Sequence, residues 1–183
     1  MILFFEQRLM AWTSHINVYD EAGEVFCQIQ GKLGWAQKYL ILDRSGVQIG
    51  QVSEKPLNIP SQFVLQKGSD VLATVKMKKG ALQSGIVIDN GWNMEGDTAS
   101  WDWRFRKADG STAVRMSRNL PGTAGLYGIV IADDVDPVLA VMAVTAVETK
   151  RLTQRSRKDK QEMRDEIRAR NKKYKDCSRR GRK

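Results

Sequence analysis

Short apolar or alternating runs, broken by turn residues, fill the sequence from Ile2 to about Ile131. The turn signals recur every 19 to 23 residues, at positions 23, 46, 68, 91, 110 and 133. Asn-Gly and Asp-Gly tolerate the positive φ that tight hairpins need, so these positions mark chain reversals. The pattern predicts one repeated unit of strand, turn, strand and connection, and about ten to twelve strands in all.

Five hairpins are predicted in this way, after a first strand within residues 1–6. They pair Ile16–Asp20 with Val25–Ile29, Lys38–Asp43 with Val47–Val52, Gln62–Gln66 with Val71–Met77, Gly85–Asp89 with Ser100–Arg106, and Ser111–Met116 with Leu126–Ile131. Alternation within a run places its apolar residues on one face and its charged residues on the other. Aromatic residues at this spacing are more often core than surface, so we expect most of the tryptophans to be packed inside: Trp12, Trp35, Trp92, Trp101 and Trp103.

The pattern changes between Asp136 and Glu148, where Thr145 is the only polar residue between the two acids. Asp136 can cap the first free backbone N–H groups, and Pro137 suits the first position of a helix. Valine and alanine each recur every third residue, which at helical pitch covers the whole circumference with apolar groups. The sequence therefore predicts a helix over 137–148 that is enclosed on all sides. A membrane span is the alternative, but it needs about twice this number of apolar residues.

A dozen antiparallel strands, each with one apolar face, are expected to curl and close, because closure removes the exposed edges of a long sheet. The apolar helix then supplies the filling. A β-sandwich has no interior space that could enclose that helix. We therefore predict a mainly β fold, an antiparallel β-barrel of about twelve strands enclosing a C-terminal hydrophobic helix and followed by a basic tail.

Four features carry a resemblance to a known family. They are the opening segment 5–12 (Phe-Glu-Gln-Arg-Leu-Met-Ala-Trp), the Asp-x-x-Gly hairpins, the strand Gly128–Asp133, and the acidic turn that leads into Val138–Val144. On these features the chain from Phe4 to Glu148 resembles the LURP-one-related proteins, which are similar in fold to the tubby C-terminal domain and the phospholipid scramblases. The resemblance implies a twelve-stranded barrel around a central helix, with phosphoinositide binding and lipid association among relatives. No residues match a tubby phosphoinositide site, so the resemblance assigns no binding residues.

Charge divides the chain into two parts. The 183 residues carry 30 Lys+Arg and 21 Asp+Glu, a formal net charge of +9. Residues 150–183 hold 16 of the basic and 5 of the acidic side chains, a net of +11, so residues 1–149 hold 14 and 16, a net of −2. We predict a barrel domain over 1–149 and a charged tail, helical and then disordered, over 150–183. Such a tail would attract an anionic membrane surface, a nucleic acid or a protein partner.

Candidate anion-binding residues are cations on the predicted strands and in the tail. Lys76 and Lys78 share one strand face, as do Arg104 and Arg106, because side chains two residues apart point the same way. The candidate set is Lys76, Lys78, Lys79, Arg104, Arg106, Arg168, Arg170, Lys172 and Lys173. The alternative is that the barrel cations are ordinary solvated residues and that the tail is a charge-rich helix held in solution by its own polarity.

Catalytic and cofactor chemistry finds little support in the sequence. His15 is the single histidine, Cys27 and Cys177 are far apart, and no GxSxG, HExxH or phosphate-binding loop motif is present. The acidic turn 133–136 could attract calcium, but three carboxylates supply only part of a six-to-eight-oxygen shell. A turn followed by a helix cap is the alternative for these acids. We expect a non-enzymatic protein that uses no cofactor or metal and no small-molecule substrate.

The sequence also indicates a cellular location and a function. Unpaired cysteines suit a reducing cytoplasm, and residues 1–6 lack the basic start of a signal peptide. We expect a cytoplasmic protein, either free or peripheral at a membrane. The leading hypothesis is a binding module that associates with anionic phospholipid, or with a partner, through the basic tail. The alternatives are a nucleic-acid-associated accessory protein that uses the same tail, and a scramblase-like lipid-handling protein.

Overall fold

A computed structural model describes residues 1–5, 15–32, 34–58, 61–77, 85–97, 102–117 and 127–151. Within these ranges the chain forms strands and one helix, α1, which occupies residues 137–151. The strands are β1 Ile2–Phe5, β2 His15–Tyr19, β3 Val25–Lys32, β4 Lys38–Leu42, β5 Gln48–Lys55, β6 Gln62–Lys67, β7 Asp70–Met77, β8 Ile86–Ile88, β9 Asn93–Asp97, β10 Asp102–Arg106, β11 Thr112–Ser117 and β12 Tyr127–Ile131.

The strands form a closed barrel in which each strand pairs with the next along the chain. β1 closes the ring by pairing with β12 in antiparallel register, with Leu3 opposite Ile129. Closure leaves no free sheet edge, which is the outcome that the number of strands predicts. The predicted antiparallel barrel of about twelve strands is confirmed.

Aspartates at the start of the hairpin turns explain why the chain reverses where it does. The Asp20 carboxylate accepts hydrogen bonds from the backbone N–H groups of Ala22, at 2.9 Å, and Glu24, at 3.0 Å. Asp43 repeats the arrangement with Ser45, at 2.8 Å, and Val47, at 2.9 Å. An aspartate that bonds its own backbone two residues on stabilises a turn locally. The repeated turn signals in the sequence therefore correspond to a repeated local structure, an aspartate that accepts hydrogen bonds from the backbone of its own turn.

One predicted hairpin is wrong. The sequence pairs Gly85–Asp89 with Ser100–Arg106, but β9 lies between β8 and β10 and pairs with both. The residues of β9, Asn-Met-Glu-Gly-Asp, include no β-branched or aromatic side chain, so the sequence does not predict a strand there. The register with β10, which places Gly96 opposite Trp103, holds it in the barrel.

The helix fills the barrel, as its apolar circumference predicts. Seven of its apolar side chains are at most 1% exposed: Ala140, Val141, Met142, Ala143, Val144, Ala146 and Val147. Thr145, the one polar residue within this run, donates its hydroxyl to the Val141 carbonyl at 2.7 Å and so is satisfied inside the core. On β5, a Cβ at Gly50 would lie 2.9 Å from the Met142 sulfur, so glycine is what allows the helix to approach this strand closely. The enclosed helix is confirmed.

The barrel has two distinct ends. The turn end carries the turns 20–24, 43–47, 67–70, 89–92, 107–111 and 132–136, and α1 begins there. At the far end β3 and β5 finish and β4 and β6 begin. Residues Met1–Thr149 form one compact unit, and Lys150–Lys183 form a second, of which residues 150 and 151 are described and helical.

Candidate binding surface of the barrel

The structure places the candidate barrel cations on separate strands. Lys76 is an exposed residue of β7, whereas Arg104 and Arg106 lie on β10. Two strands, β8 and β9, stand between them, so these cations do not form one continuous patch. The remaining candidates lie outside the described residues: Lys78, Lys79, Arg168, Arg170, Lys172 and Lys173.

Arg104 and Arg106 share one carboxylate. The Nε of each arginine donates to Oε2 of Glu95 at 3.0 Å, and Arg104 is also the cross-strand partner of Glu95. Hydrogen bonds from Arg106, and then from Arg104, hold the pKa of Glu95 below its usual range. The Arg106 guanidinium also donates to the carbonyl of Gly110. Glu95 was not among the predicted site residues, because it lies on β9, which the sequence pattern does not predict.

Neighbouring cations are paired as well. Arg115 lies 3.7 Å from Asp102, and Lys107 contacts Asp134 at 2.5 Å. The hydrogen bond from Lys107 holds the pKa of Asp134 below its usual range. Exposed pairs of this kind add little stability. Their effect is to offset most of the positive charge on this side of the barrel.

The acidic turn that could attract calcium is engaged within the fold. Asp136 accepts a hydrogen bond from the N–H of Val138 at 2.8 Å, which caps α1, and it lies 3.4 Å from the amine of Lys67. Across the described ranges, no group of three or more His, Cys, Asp or Glu side chains is arranged to hold a metal ion. The geometry is that of a turn followed by a helix cap, and negative charge at a helix start is favoured by the helix dipole.

The turn end of the barrel is strongly acidic. Its six turns together contain ten acidic and three basic side chains. The acidic excess has a structural origin, because aspartate is the residue that stabilises these reversals and caps the helix. A surface of this charge is repelled by phosphate groups.

The far end carries a row of lysines that sequence reasoning did not assemble. Lys32 of β3 is the direct partner of Lys38 of β4, and Lys38 in turn faces Ser53 of β5. Lys55 lies two residues beyond Ser53 on the same outward face, and Lys76 lies two strands further on. We call Lys32, Lys38, Lys55 and Lys76 the lysine row. Only strand register brings these four residues together, since they are up to 44 positions apart in the sequence.

Within the described part of the chain, the lysine row has no acidic side chain paired with it. No carboxylate of the described residues lies within 4 Å of these four amines. Glu54 is adjacent to Lys55 in sequence but belongs to the opposite face, because its strand partner is the buried Phe63. On the described strands at this end, the next acids are Asp97, which lies on β9, and the exposed Asp102, which lies on β10. Like charges directly opposite one another weaken strand pairing, so the Lys32–Lys38 pair would gain from a nearby anion.

The fold is a mainly β, closed antiparallel barrel whose interior is filled by its own helix. A model of the LURP-one-related family matches residues 1–148, and the chain belongs to that family. A crystal structure of a protein from Arabidopsis thaliana is similar in fold, with a TM-score of 0.61 and 15% sequence identity over 82% of this chain and 90% of that one. No curated protein matches the sequence.

Among the residues that the structure describes, no helix combines the length and the apolar character that crossing a bilayer requires. The apolar side chains of α1 pack in the core of the barrel.

Proposed function

We propose that the protein is a non-enzymatic binding module that associates with anionic phospholipid surfaces through its basic tail. The barrel acts as a rigid scaffold, and the tail supplies most of the attraction. The observation that supports this function best is the division of charge, +11 in residues 150–183 against −2 in residues 1–149. Each Lys or Arg close to an anionic leaflet contributes about 1 kcal/mol, so a cluster of tail cations is sufficient for reversible binding.

The packing of the barrel supports a non-enzymatic role. Large side chains of the strands, such as Phe63, Trp103 and Phe105, pack with α1 in one continuous apolar core. A substrate that entered the barrel would have to displace that core, whereas a lipid surface requires only the exterior. Within the tail, we assign the binding contacts to Arg168, Arg170, Lys172 and Lys173, and on the barrel to Lys76, Lys78 and Lys79. Arg104 and Arg106 contribute less, because both already pair with Glu95.

Co-sedimentation with vesicles tests the proposal. The full chain should bind vesicles that contain acidic lipid, bind neutral vesicles weakly, and lose its binding at high salt because the attraction is screened. A truncation that ends at Thr149 should lose most of the binding. Binding that ignores lipid charge or survives the truncation would contradict the proposal.

A matched pair of tail variants separates charge from length. Replacing Arg168, Arg170, Lys172 and Lys173 by Gln should weaken binding to acidic vesicles by at least about 100-fold, on the order of 1 kcal/mol per cation. The control replaces four acids, Asp159 and Asp165 by Asn and Glu162 and Glu166 by Gln, and should strengthen binding. Equal effects of the two variants would show that the tail acts by something other than its charge.

The same samples examine the nucleic-acid alternative. Single-stranded RNA is added at low and high salt in place of vesicles. Tight RNA binding with a steep salt dependence, and no preference among vesicles, would assign the tail to nucleic acid instead. Scramblase-like activity would appear as lipid transfer between leaflets, measured by dithionite quenching, and we expect none.

A further inference from the structure

Two large apolar side chains project from neighbouring loops at the far end of the barrel. Trp35 is 87% exposed in the connection between β3 and β4, and Leu57 is 82% exposed in the connection between β5 and β6. The two loops lie side by side because the N–H of Glu54, at the end of β5, donates to the carbonyl of Gln37 at 2.8 Å. Both side chains therefore lie open to solvent at the same end of the barrel.

These two side chains are flanked by the lysine row. Lys32 and Lys38 are the last residue of β3 and the first residue of β4, on either side of the loop that carries Trp35. Lys55 is the last residue of β5, two positions before Leu57. An apolar tip surrounded by cations suits the boundary of an anionic bilayer, where tryptophan sits at the level of the headgroups and lysine amines reach the phosphates.

Charge at the opposite end favours the same orientation. The turn end carries ten acidic and three basic side chains, so an anionic surface repels it while attracting the lysine row. A barrel domain whose net charge is −2 would otherwise gain little from such a surface. Because the charge is separated between the two ends, an anionic surface orients the barrel domain even though the net charge of the domain is small.

We propose that the far end of the barrel is a membrane-docking face, in which Trp35 and Leu57 insert into the headgroup and acyl boundary of an anionic bilayer while the lysine row contacts lipid phosphates. This inference rests on the proposed association with anionic phospholipid and names the barrel surface that takes part. Two isolated side chains bury far less than the roughly 800 Å² per partner that a stable protein interface requires. At a bilayer boundary, the apolar area that these anchors bury adds to the electrostatic attraction of the lysine row.

A fluorescent label at one position reports the insertion in the full chain. Cys177→Ser removes the second thiol, Cys27 is buried, and Trp35→Cys then accepts an environment-sensitive dye such as NBD. On addition of vesicles containing phosphatidylserine, the dye should shift to shorter wavelength and become accessible to quenchers placed in the acyl region. The control is the same dye at Val47→Cys, which is 60% exposed at the turn end and should not respond.

The outcomes separate this proposal from the one on which it rests. If the chain co-sediments with acidic vesicles but the dye at position 35 stays in water, the docking face is wrong and the association stands. A response at both positions 35 and 47 would also overturn the docking face, because it shows no preferred orientation. If the chain does not bind acidic vesicles at all, both proposals fall. Insertion that persists in the tail variant would keep the docking face and remove the tail as the principal contact.

Affinity supplies a second and independent readout. The double substitution Trp35→Ala and Leu57→Ala should weaken vesicle binding by about 10-fold or more, since each side chain buried in an apolar phase contributes a factor of that order. The matched control, Val47→Ala with Val71→Ala, removes two side chains that are 60% and 58% exposed at the turn end, and should leave binding unchanged. All four side chains are largely exposed, so the variants should fold normally. Equal affinity of the two double variants would contradict the docking face.

Discussion

Tryptophan shows how strongly the position of a single residue decides its role. Trp103 alternates with charged residues on β10, is 1% exposed, and packs edge-on against Phe105 with ring centroids 5.1 Å apart. Trp92 is buried too, as expected for most of the tryptophans, and Trp35, at 87% exposed, is the exception among the described ones. Trp35 lies in the connection between β3 and β4, outside any strand, so no strand alternation directs its side chain inward. The remaining two, Trp12 and Trp101, lie outside the described residues.

Cys27 allows a prediction at the same scale. Its side chain is 0% exposed, and burial raises the pKa of its thiol from 9.0 to about 12. At pH 8 the reactive thiolate is therefore much scarcer than in an ordinary cysteine, and the buried sulfur is also shielded from reagents. In a Cys177→Ser variant, where Cys27 is the remaining thiol, we expect no iodoacetamide labelling of the folded protein.

Mass spectrometry checks this expectation. The same variant in urea should take up one label per chain, which shows that the thiol is chemically intact. Rapid labelling of the folded protein would contradict the burial of Cys27 inside the barrel.

Strand β9 shows what governs an element that has little strand propensity of its own. Gly96 has a φ of +99°, and a Cβ at this position would lie 2.6 Å from the Asp102 carbonyl oxygen and 2.8 Å from the Trp103 Cα. Glycine is therefore required twice, by the backbone conformation and by the close approach of β10. β9 is therefore held in the sheet by its pairing with β8 and β10 rather than by a strand propensity of its own.

Two glycine substitutions separate those requirements. Gly96→Ala should lower the free energy of unfolding by about 2–4 kcal/mol, because it adds a steric clash to the strain of a positive φ. Gly46→Ala is the control. Its φ is +82°, but no atom lies within 4 Å of the added Cβ, so strain alone should cost about 1–2 kcal/mol. Urea unfolding measures both, and similar losses in the two variants would argue against the close approach at Gly96.

At the scale of the whole molecule, the barrel and its helix depend on each other. The helix contains many valines, which are poor helix formers, so burial holds it rather than propensity. The barrel in turn needs the helix, because inward side chains of the strands, such as Leu65 and Ile129, are 0% exposed only within the shared core. Neither part has an apolar surface that could be left in water.

Val144→Asp tests this dependence. Val144 is 1% exposed, and an unpaired carboxylate at that place costs several kcal/mol, a large fraction of the 5–15 kcal/mol that stabilises a typical domain. We expect loss of the cooperative thermal transition of the barrel and poor recovery of soluble protein. Val47→Asp places the same side chain at an exposed position and should melt like the natural sequence. A soluble Val144→Asp variant with unchanged melting would contradict the enclosed helix.

Local chemistry in the sequence determined the parts of this protein that depend on neighbours along the chain. The aspartate turns, the alternation on β10 and the capped apolar helix after Asp136 could all be read because each signal lies within a few residues. From them followed the barrel, the enclosed helix and the division of charge between residues 1–149 and 150–183.

Tertiary structure alone decided what depends on register between distant strands. It inserted β9, gave Arg104 and Arg106 the shared partner Glu95, and separated them from Lys76 by two strands. It also set Lys32 opposite Lys38 and placed the loop of Trp35 beside that of Leu57. The physical reason is that pairing between strands is selected by packing over the whole ring, whereas each residue in the sequence records only its own preference.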